Sequence, residues 1–205
     1  IFIVSGRNRY FLEKQFTNTN IGLVAEHGAF MRRHGSQTWE ALFTSDVQWM
    51  EGVCQIMERF RRRIYGSSVE RKELSIVFHY RNAFGEAELI KDRVLELYDV
   101  LLRMTGSNNL EILRGSFILE VRRFGMHKGT AVARLLNEIS PSFAFAIGGD
   151  LTDEDMFRAL PKPFYSIKVG HAESIAPYYL NNVEEVEWFI EELENSKRKR
   201  TSGII

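Results

Sequence analysis

The sequence predicts an α/β fold: a doubly wound, mostly parallel sheet with a small inserted α+β cap. The first observation is an unbroken apolar run at residues 143–147, which is typical of a strand covered by helices on both faces. The second is that short strand-like runs at residues 1–4, 21–25 and 165–169 are each followed by a polar turn. The third is a helix and strand followed by another helix and strand pair at about residues 46–124, which indicates an insertion between core segments.

Length and charge limit the possible partners. A chain of 205 residues has room for one core, or for a core with a small cap. The 27 basic and 27 acidic residues give a formal charge of zero, so charge offers no argument for a nucleic-acid partner. The longest apolar runs are far shorter than the roughly 20 residues that span a bilayer, so no membrane partner is expected.

The single cysteine and the first residue give two further expectations. Cys54 cannot form an intramolecular disulfide and falls among apolar residues of a helical pattern. It therefore predicts a buried structural thiol in a reducing compartment, and a cytoplasmic location is expected. The chain begins with Ile1 inside a predicted strand, so we expect it to be part of a longer polypeptide.

The first strand ends in the polar turn Ser5-Gly6-Arg7, before a helix predicted at residues 10–16. A strand, a turn and a helix in this order present backbone N–H groups and a hydroxyl at the helix entrance, which suits an anion such as phosphate. The alternative is that Ser5 only caps the helix. The residues alone leave both interpretations open.

The second strand ends in Glu26-His27-Gly28, and Gly35 with Ser36 then predicts a hairpin that returns the chain. A single histidine near the end of a strand is more often structural than functional. A charged residue before it and a glycine after it, at the exit of a strand, give some weight to a binding role.

The remaining elements follow from hydrophobic spacing and from turn residues. Helices are predicted at residues 46–65, 86–104, 128–139 and 182–193, a strand at 74–80, and a hairpin over 110–124 that turns through Arg114 and Gly115. The basic run at 59–63 is interpreted as the solvated end of its helix. The basic residues 197–200 are interpreted as a frayed terminus rather than a nuclear signal.

An acidic cluster follows the apolar run at residues 143–147, after Gly148 and Gly149 have ended it. Its members are Asp150, Asp153, Glu154 and Asp155. Open α/β sheets bind ligands at the carboxyl ends of their strands, and bunched carboxylates suit Mg²⁺. The alternative is a capped turn, with Thr152 or Asp153 as the N-cap of a short helix.

Several segments, taken together and in order, resemble the trehalose-6-phosphate phosphatases of the haloacid-dehalogenase-like superfamily. The segment GGDLTDEDMF, residues 148–157, is similar to the family's GDDxTDEDMF. The run SSVERKELSIVFHYRNA, residues 67–83, is similar to the family's cap strand with its Glu-x-Lys and HYR. Further matches are Ser5-Gly6-Arg7, Glu26-His27-Gly28, Glu120-Val121-Arg122 and Lys128-Gly129-Thr130-Ala131.

The resemblance implies a haloacid-dehalogenase-like core at residues 1–45 and 125–205, with the inserted cap at 46–124. It implies a hydrolase of trehalose biosynthesis that uses Mg²⁺ and acts on trehalose 6-phosphate, with a trehalose-6-phosphate synthase domain as a possible partner. Ser5 and Lys128 would serve catalysis by holding the phosphate, and Asp150 and Asp153 would be metal ligands. The implied substrate-binding residues are Ser5, Arg7, Glu26, His27, Gly28, Glu70, Lys72, Glu120 and Lys128.

Two departures from the family pattern bear on activity. The family's DxDGT motif, which carries the nucleophile and general acid, does not occur in this sequence, and Gly149 stands where the family has a metal-ligating aspartate. We therefore expect this chain alone to be inactive and the core sheet to lack the strand that carries DxDGT. The alternative function is a catalytically inactive domain that binds the sugar phosphate or acts as a scaffold. A phosphatase of another sugar phosphate is a third interpretation.

Overall fold

A computed structural model describes residues 1–43, 46–106 and 109–201, with the backbone alone for 197–201. The chain divides into two compact units, Ile1–His127 and Lys128–Ile205. The expected division into a core at 1–45 and 125–205 and a cap at 46–124 stays a prediction. Its first boundary falls beside residues 44 and 45, which lie outside the described ranges.

The first unit begins with a small mixed sheet. Strands β1 (Phe2–Val4) and β2 (Gly22–Ala25) pair in parallel, and helix α1 (Arg9–Gln15) lies between them in the chain. Strands β3 (Phe30–Arg32) and β4 (Glu40–Ala41) continue the sheet in antiparallel pairs. The strand order is β1-β2-β3-β4, so β1 is an edge strand with a neighbour on one side only, within the part of the chain that is described.

The rest of the first unit is a four-stranded antiparallel sheet with two helices. Its strands are β5 (Ser68–Arg71), β6 (Ser75–His79), β7 (Leu110–Gly115) and β8 (Ile118–Arg123), in the order β5-β6-β8-β7. Helices α2 (Gln48–Arg61) and α3 (Ala87–Thr105) share one hydrophobic cluster with this sheet.

Alternating side chains give this antiparallel sheet one apolar and one polar face. In β6, Ile76 and Phe78 enter the hydrophobic cluster. Because successive side chains of a strand point to opposite faces, Ser75 lies on the other face. The register pairs Ser75 with Arg122 and Val77 with Glu120, which places Glu120 on that second face as well. One face of this sheet thus packs into the hydrophobic cluster, and the other carries buried polar side chains.

The second unit is built around a short parallel sheet. Its elements are α4 (Lys128–Ile139), β9 (Phe145–Gly148), α5 (Asp153–Arg158), β10 (Tyr165–Val169), β11 (Tyr178–Leu180) and α6 (Val183–Thr201). The strand order is β11-β10-β9 and both pairs are parallel. The parallel pairs in both units and the helices between them confirm the predicted α/β class.

The structure corrects several expectations about single elements. The apolar run at 143–147 is not fully buried: Phe143 is 57% exposed and Phe145 is 37% exposed. The hairpin over 110–124 turns at Ser116 and Phe117 instead of Arg114 and Gly115. The antiparallel pair of β3 and β4 agrees with the hairpin predicted at Gly35 and Ser36. Strands β5 and β11 have no counterpart in the prediction.

Three smaller expectations have mixed outcomes. Cys54 is half-buried against the hydrophobic cluster of α2 and α3, so it is less buried than predicted. The backbone of residues 197–200 is helical and belongs to α6. No helix of the described ranges is both long enough and apolar enough to cross a membrane.

Candidate functional site

The turn after β1 presents a serine hydroxyl. Ser5 Oγ accepts a hydrogen bond from Arg7 N at 3.1 Å, and Ser5 N donates to Val24 O at 2.9 Å. Helix α1 is capped by Asn8, whose Oδ1 accepts from Phe11 N at 2.9 Å. Ser5 is therefore not the helix cap, which removes the alternative interpretation of its role and leaves its hydroxyl proton for another acceptor.

The turn after β2 has an unusual backbone. The φ angles of Glu26, His27 and Gly28 are 47°, 56° and 111°, and a left-handed backbone costs a residue with a side chain roughly 1–2 kcal/mol. Two hydrogen bonds hold this turn against the first one: Glu26 N donates to Arg7 O and His27 N donates to Ser5 O, each at 3.0 Å. Backbone strain of this kind concentrates at functional sites.

The carboxylate of Glu26 is fully buried and faces the segment just before β6. Its Oε1 accepts from Glu73 N at 3.4 Å and its Oε2 accepts from Leu74 N at 3.2 Å. Burial raises the pKa of the Glu26 carboxyl, and the two backbone donors oppose that rise. Glu26 thus ties the strained turn to the segment before β6, a contact that its place in the sequence gave no sign of.

Four polar side chains meet at the polar face of the four-stranded antiparallel sheet. Glu120 Oε1 accepts from Ser75 Oγ at 2.6 Å and from Lys72 Nζ at 3.2 Å. Lys72 Nζ also donates to Gly6 O at 3.1 Å, and His27 Nε2 lies 3.4 Å from Glu120 Oε2. The two predicted cap residues, Lys72 and Glu120, therefore lie directly beside the turn that carries Ser5.

Gly6 allows this close approach. A Cβ at Gly6 would lie 2.3 Å from His27 Nε2, far inside van der Waals contact. The absence of a side chain at this position therefore lets the imidazole of His27 pack against the first turn.

The side chains of this cluster differ in charge at neutral pH. Burial alone would raise the pKa of Glu120, but the contacts with His27, Lys72 and Ser75 lower it to about 2. Burial lowers the pKa of His27, so its imidazole is neutral at pH 7 and Lys72 is the cation that balances Glu120 there. His27 Nδ1 and Glu120 Oε2 are buried without a hydrogen-bond partner among the described residues.

Glu70 lies on the same sheet face but outside this cluster. It stands opposite Val77 on β5, as Glu120 does on β8. Its Oε2 is 2.8 Å from His79 Nε2, and both side chains are partly exposed.

In the second unit, Lys128 begins α4 and is buried against Asp153. Lys128 Nζ donates to Asp153 Oδ1 at 2.7 Å, and Asp150 N donates to Asp153 Oδ2 at 2.8 Å. A Cβ at Gly148 would lie 2.4 Å from this carboxylate, so the glycine makes room for it. Thr152 occupies the N-cap position of α5 but makes no side-chain capping bond.

Sequence analysis did not find Lys168 and Glu154 as a pair. Lys168 lies in the middle of β10 and is 2% exposed, with Nζ 3.4 Å from Glu154 Oε1. Its Nζ also donates to Gly149 O at 2.9 Å. A signal for this contact was present in the sequence, since a lysine inside a predicted core strand must find a partner.

The described residues do not by themselves form a Mg²⁺ site. In the described ranges, no group of three or more His, Cys, Asp or Glu side chains is arranged to hold a metal ion. Both oxygens of Asp153 already accept hydrogen bonds, and Gly149 has no side-chain oxygen to contribute. The roles of Asp150 and Asp153 as metal ligands stay a prediction.

The predicted residues thus form two groups, one in each unit. Ser5, His27, Lys72 and Glu120 form the first group, with Arg7 and Glu26 in the turns that support it. Lys128, Asp150 and Asp153 form the second group.

Comparison with known proteins gives consistent matches. The family model described as trehalose-phosphatase matches residues 1–184. The chain is 39% identical over 193 residues to the bifunctional trehalose-6-phosphate synthase/phosphatase of Thermoproteus tenax, covering 94% of this chain and 26% of that protein. It is 38% identical over 169 residues to the trehalose-phosphatase of Schizosaccharomyces pombe, covering 79% of this chain and 20% of that protein.

A solved structure agrees. The chain matches the C-terminal domain of the trehalose-6-phosphate phosphatase of C. albicans with a TM-score of 0.80 and 32% identity, over 91% of this chain and 74% of that one. The chain spans about a quarter of the length of the curated relatives that it matches. By the extent of the family match, the chain belongs to the trehalose-phosphatase family.

Proposed function

We propose that this chain is the phosphatase domain of a trehalose-synthesis protein, and that its substrate is trehalose 6-phosphate. The observation that carries the proposal is a pair of buried atoms beside the Ser5 turn: His27 Nδ1, which has no hydrogen-bond partner among the described residues, and Glu120 Oε2, which has only the long 3.4 Å contact with His27 Nε2. Buried polar atoms of this kind are costly unless a ligand satisfies them. Sugar hydroxyls can both donate and accept hydrogen bonds, so they suit this pair.

Each residue of the cluster then has a chemical task. The hydroxyl of Ser5 donates to a phosphate oxygen, while the charged Glu120 accepts from a sugar hydroxyl. Lys72 already contacts both the first turn and Glu120, so it couples phosphate binding to sugar binding. A site built to hydrogen-bond hydroxyls rejects analogues that lack them, which provides selectivity for the disaccharide.

Other predicted residues take secondary tasks in this proposal. The ammonium of Lys128, which is buried and paired with Asp153, offsets the negative charge of the phosphate. Arg7, whose guanidinium lies 5.0 Å from the centre of the Phe11 ring, is a second cation on the Ser5 turn. Glu70 contacts the more distant sugar ring from its place on the same sheet face as Glu120.

The residues named above do not include a nucleophile. The sequence contains no DxDGT motif, and we propose that an aspartate on another segment of the protein supplies the attack on phosphorus. The open edge of β1 is a suitable place for a strand that carries it, since an edge strand has unpaired N–H and C=O groups.

The first experiment is a phosphate-release assay with trehalose 6-phosphate. The 205-residue chain is expected to release no phosphate above a buffer blank, and a longer polypeptide with an intact DxDGT strand is expected to release it. Turnover by the chain alone would contradict the need for that strand.

The second experiment is calorimetric titration of the chain with trehalose 6-phosphate, with glucose 6-phosphate for comparison. Binding of the disaccharide that is tighter than that of the monosaccharide, and is lost in Glu120→Gln, supports the proposed site. Equal binding of both compounds would favour a phosphatase of another sugar phosphate.

A regulatory domain is the second candidate, and Gly149 favours it. The sugar-binding cluster is intact in this chain while a metal ligand of the family is missing. Such a domain would bind trehalose 6-phosphate without hydrolysing it, and we propose a synthase domain in the same polypeptide or complex as its partner. Binding without turnover in a longer polypeptide that carries DxDGT would decide for this candidate. For both candidates we propose a cytoplasmic location, supported by the unpaired Cys54.

A further inference from the structure

The acidic loop, defined here as residues 148–155, contains four carboxylates and is bordered by two buried lysines. Carboxylates bunched in this way repel one another unless a cation balances them. In phosphatase sites that cation is commonly a divalent metal held by carboxylate oxygens. In this chain the buried ammonium of Lys168 contacts the acidic loop.

Lys168 Nζ makes three contacts with the acidic loop. It donates to Gly149 O at 2.9 Å, and it lies 3.5 Å from Asp150 O and 3.4 Å from Glu154 Oε1. An ammonium group has three donors and no acceptor, so these three oxygens match its full capacity. Buried lysines are rare unless they are paired, which makes this arrangement a specific one.

The carboxylate of Glu154 is fully engaged. Its Oε1 contacts Lys168, and its Oε2 accepts from Ile175 N at 3.0 Å. Burial alone would raise the pKa of Glu154, but hydrogen bonds from Ile175, Ser174 and Lys168 lower it, so the group is ionised at neutral pH.

The carboxylate of Asp153 is engaged in the same way, by Lys128 and by the backbone of Asp150. The two buried carboxylates of the loop are thus balanced by two buried ammonium groups. Of the remaining members, Gly149 contributes only its carbonyl, which already accepts from Lys168.

We propose that Lys168 is a built-in cation of the acidic loop, which takes the charge-balancing place of a divalent metal ion and keeps Mg²⁺ from binding there. Mg²⁺ requires oxygens at about 2.0–2.1 Å in a near-octahedral arrangement. An ammonium beside the carbonyls of Gly149 and Asp150 repels a second cation at this loop.

The contacts of Lys168 also bear on the expected effect of an aspartate at position 149. A Cβ at Gly149 would lie 3.4 Å from Val169 O and 3.7 Å from Val169 Cβ, which is ordinary van der Waals contact. Gly149→Asp alone should therefore add a carboxylate to a loop whose charge Lys168 already balances, and only Gly149→Asp with Lys168→Met should create a place for Mg²⁺.

The test compares melting temperatures in EDTA and in millimolar Mg²⁺. The proteins are the 205-residue chain and its variants Lys168→Met, Gly149→Asp and the double variant, with Lys162→Met as the matched control at an exposed lysine of the same unit. The Tm of the unaltered chain, Gly149→Asp and Lys162→Met is expected not to depend on Mg²⁺. Lys168→Met is expected to melt lower than the unaltered chain in EDTA, and the double variant to regain Tm in Mg²⁺.

Two results would overturn the proposal. One is a Mg²⁺-dependent rise in Tm of the unaltered chain as large as that of the double variant, and the other is an unchanged Tm for Lys168→Met in EDTA. If Lys168→Met does not fold, Mg²⁺ titration calorimetry of the unaltered chain and of Gly149→Asp still decides. If either protein binds Mg²⁺ and Asp150→Asn abolishes that binding, the proposal is contradicted. If neither protein binds Mg²⁺, the proposal is supported.

Discussion

The carboxylate of Glu26 accepts a hydrogen bond from the backbone N–H of Leu74, 48 residues further along the chain, at 3.2 Å. Leu74 belongs to a hydrophobic cluster with Leu12, Leu23 and Phe30. The strained turn after β2 and the beginning of β6 are therefore held together by a buried polar contact inside an apolar environment. Lys72, two residues before Leu74, is positioned by the same contact.

Glu26→Ala is expected to destabilise the chain. It leaves the N–H groups of Glu73 and Leu74 without their acceptor, and each unsatisfied buried group costs about 1–3 kcal/mol. Urea unfolding should show this loss, with a smaller one in Glu26→Gln, which keeps one acceptor oxygen. Glu86→Ala, at an exposed glutamate of the same unit, is the control and should leave the free energy of unfolding nearly unchanged. Equal stabilities of Glu26→Ala and Glu86→Ala would show that the contact contributes nothing.

The free energy of unfolding is expected to fall steeply in acid because of Glu120. Its pKa is about 2 in the folded chain against an ordinary value of 4.5. Between these values the unfolded state binds more protons, so the contribution of Glu120 is fully present above pH 4.5 and is lost as the pH falls towards 2.

Urea unfolding of the chain and of Glu120→Gln over this pH range tests the assignment. The variant should be less stable at pH 7 and should lose less stability on acidification, because it lacks this titrating group. Parallel curves for the two proteins would assign the acid sensitivity to other carboxylates.

Gly6→Ala is expected to weaken trehalose 6-phosphate binding more than it weakens the fold. The new methyl group would lie only 2.3 Å from the present position of His27 Nε2. It would therefore push the imidazole away from Glu120. Calorimetry should show a rise in Kd, while Gly106→Ala, where the nearest atom is 3.8 Å from the added Cβ, should bind like the unaltered chain. Unchanged affinity in Gly6→Ala would remove His27 from the binding site.

Lys72→Ala is expected to abolish measurable binding of trehalose 6-phosphate. It removes the group that contacts both Gly6 O and Glu120, and it leaves a buried carboxylate without its cation. Arg71→Ala changes a neighbouring but exposed cation and is the matched control. Circular dichroism should separate lost binding from lost folding. A folded Lys72→Ala chain that binds normally would contradict the proposed site.

Much of the fold could be predicted from local patterns. The bounds of α4 and β10 agree with the predicted 128–139 and 165–169, because helix entry at Lys128 and β-branched or aromatic content at β10 are local signals. Strand β5 was not predicted, because Ser68–Arg71 does not show the alternation of polar residues with buried apolar residues that indicates a strand. The exposure of Phe143 was not predicted, because it depends on which elements pack against the run, and no local pattern contains that.

The candidate site could likewise be predicted only in part from local patterns. The turns at Ser5 and Glu26 were predicted as binding segments because each ends a strand. The direction of the Glu26 carboxylate and the burial of Lys168 were not predicted, since both depend on partners in distant elements. Residue type and position in the chain indicate candidates for a site, and sheet register and burial decide which of them meet.

The exposed rings of Phe143 and Phe145 affect how the chain behaves at high concentration. Their centroids are 5.8 Å apart; Phe145 begins β9, Phe143 lies two residues before it, and the other edge of this strand has no neighbour among the described residues. An apolar edge strand of this kind is a template on which another molecule can add its own strand. A charged residue in place of Phe143 would act as a gatekeeper against such growth. Light scattering of concentrated solutions should therefore be lower for Phe143→Lys than for the unaltered chain, even if both have the same Tm.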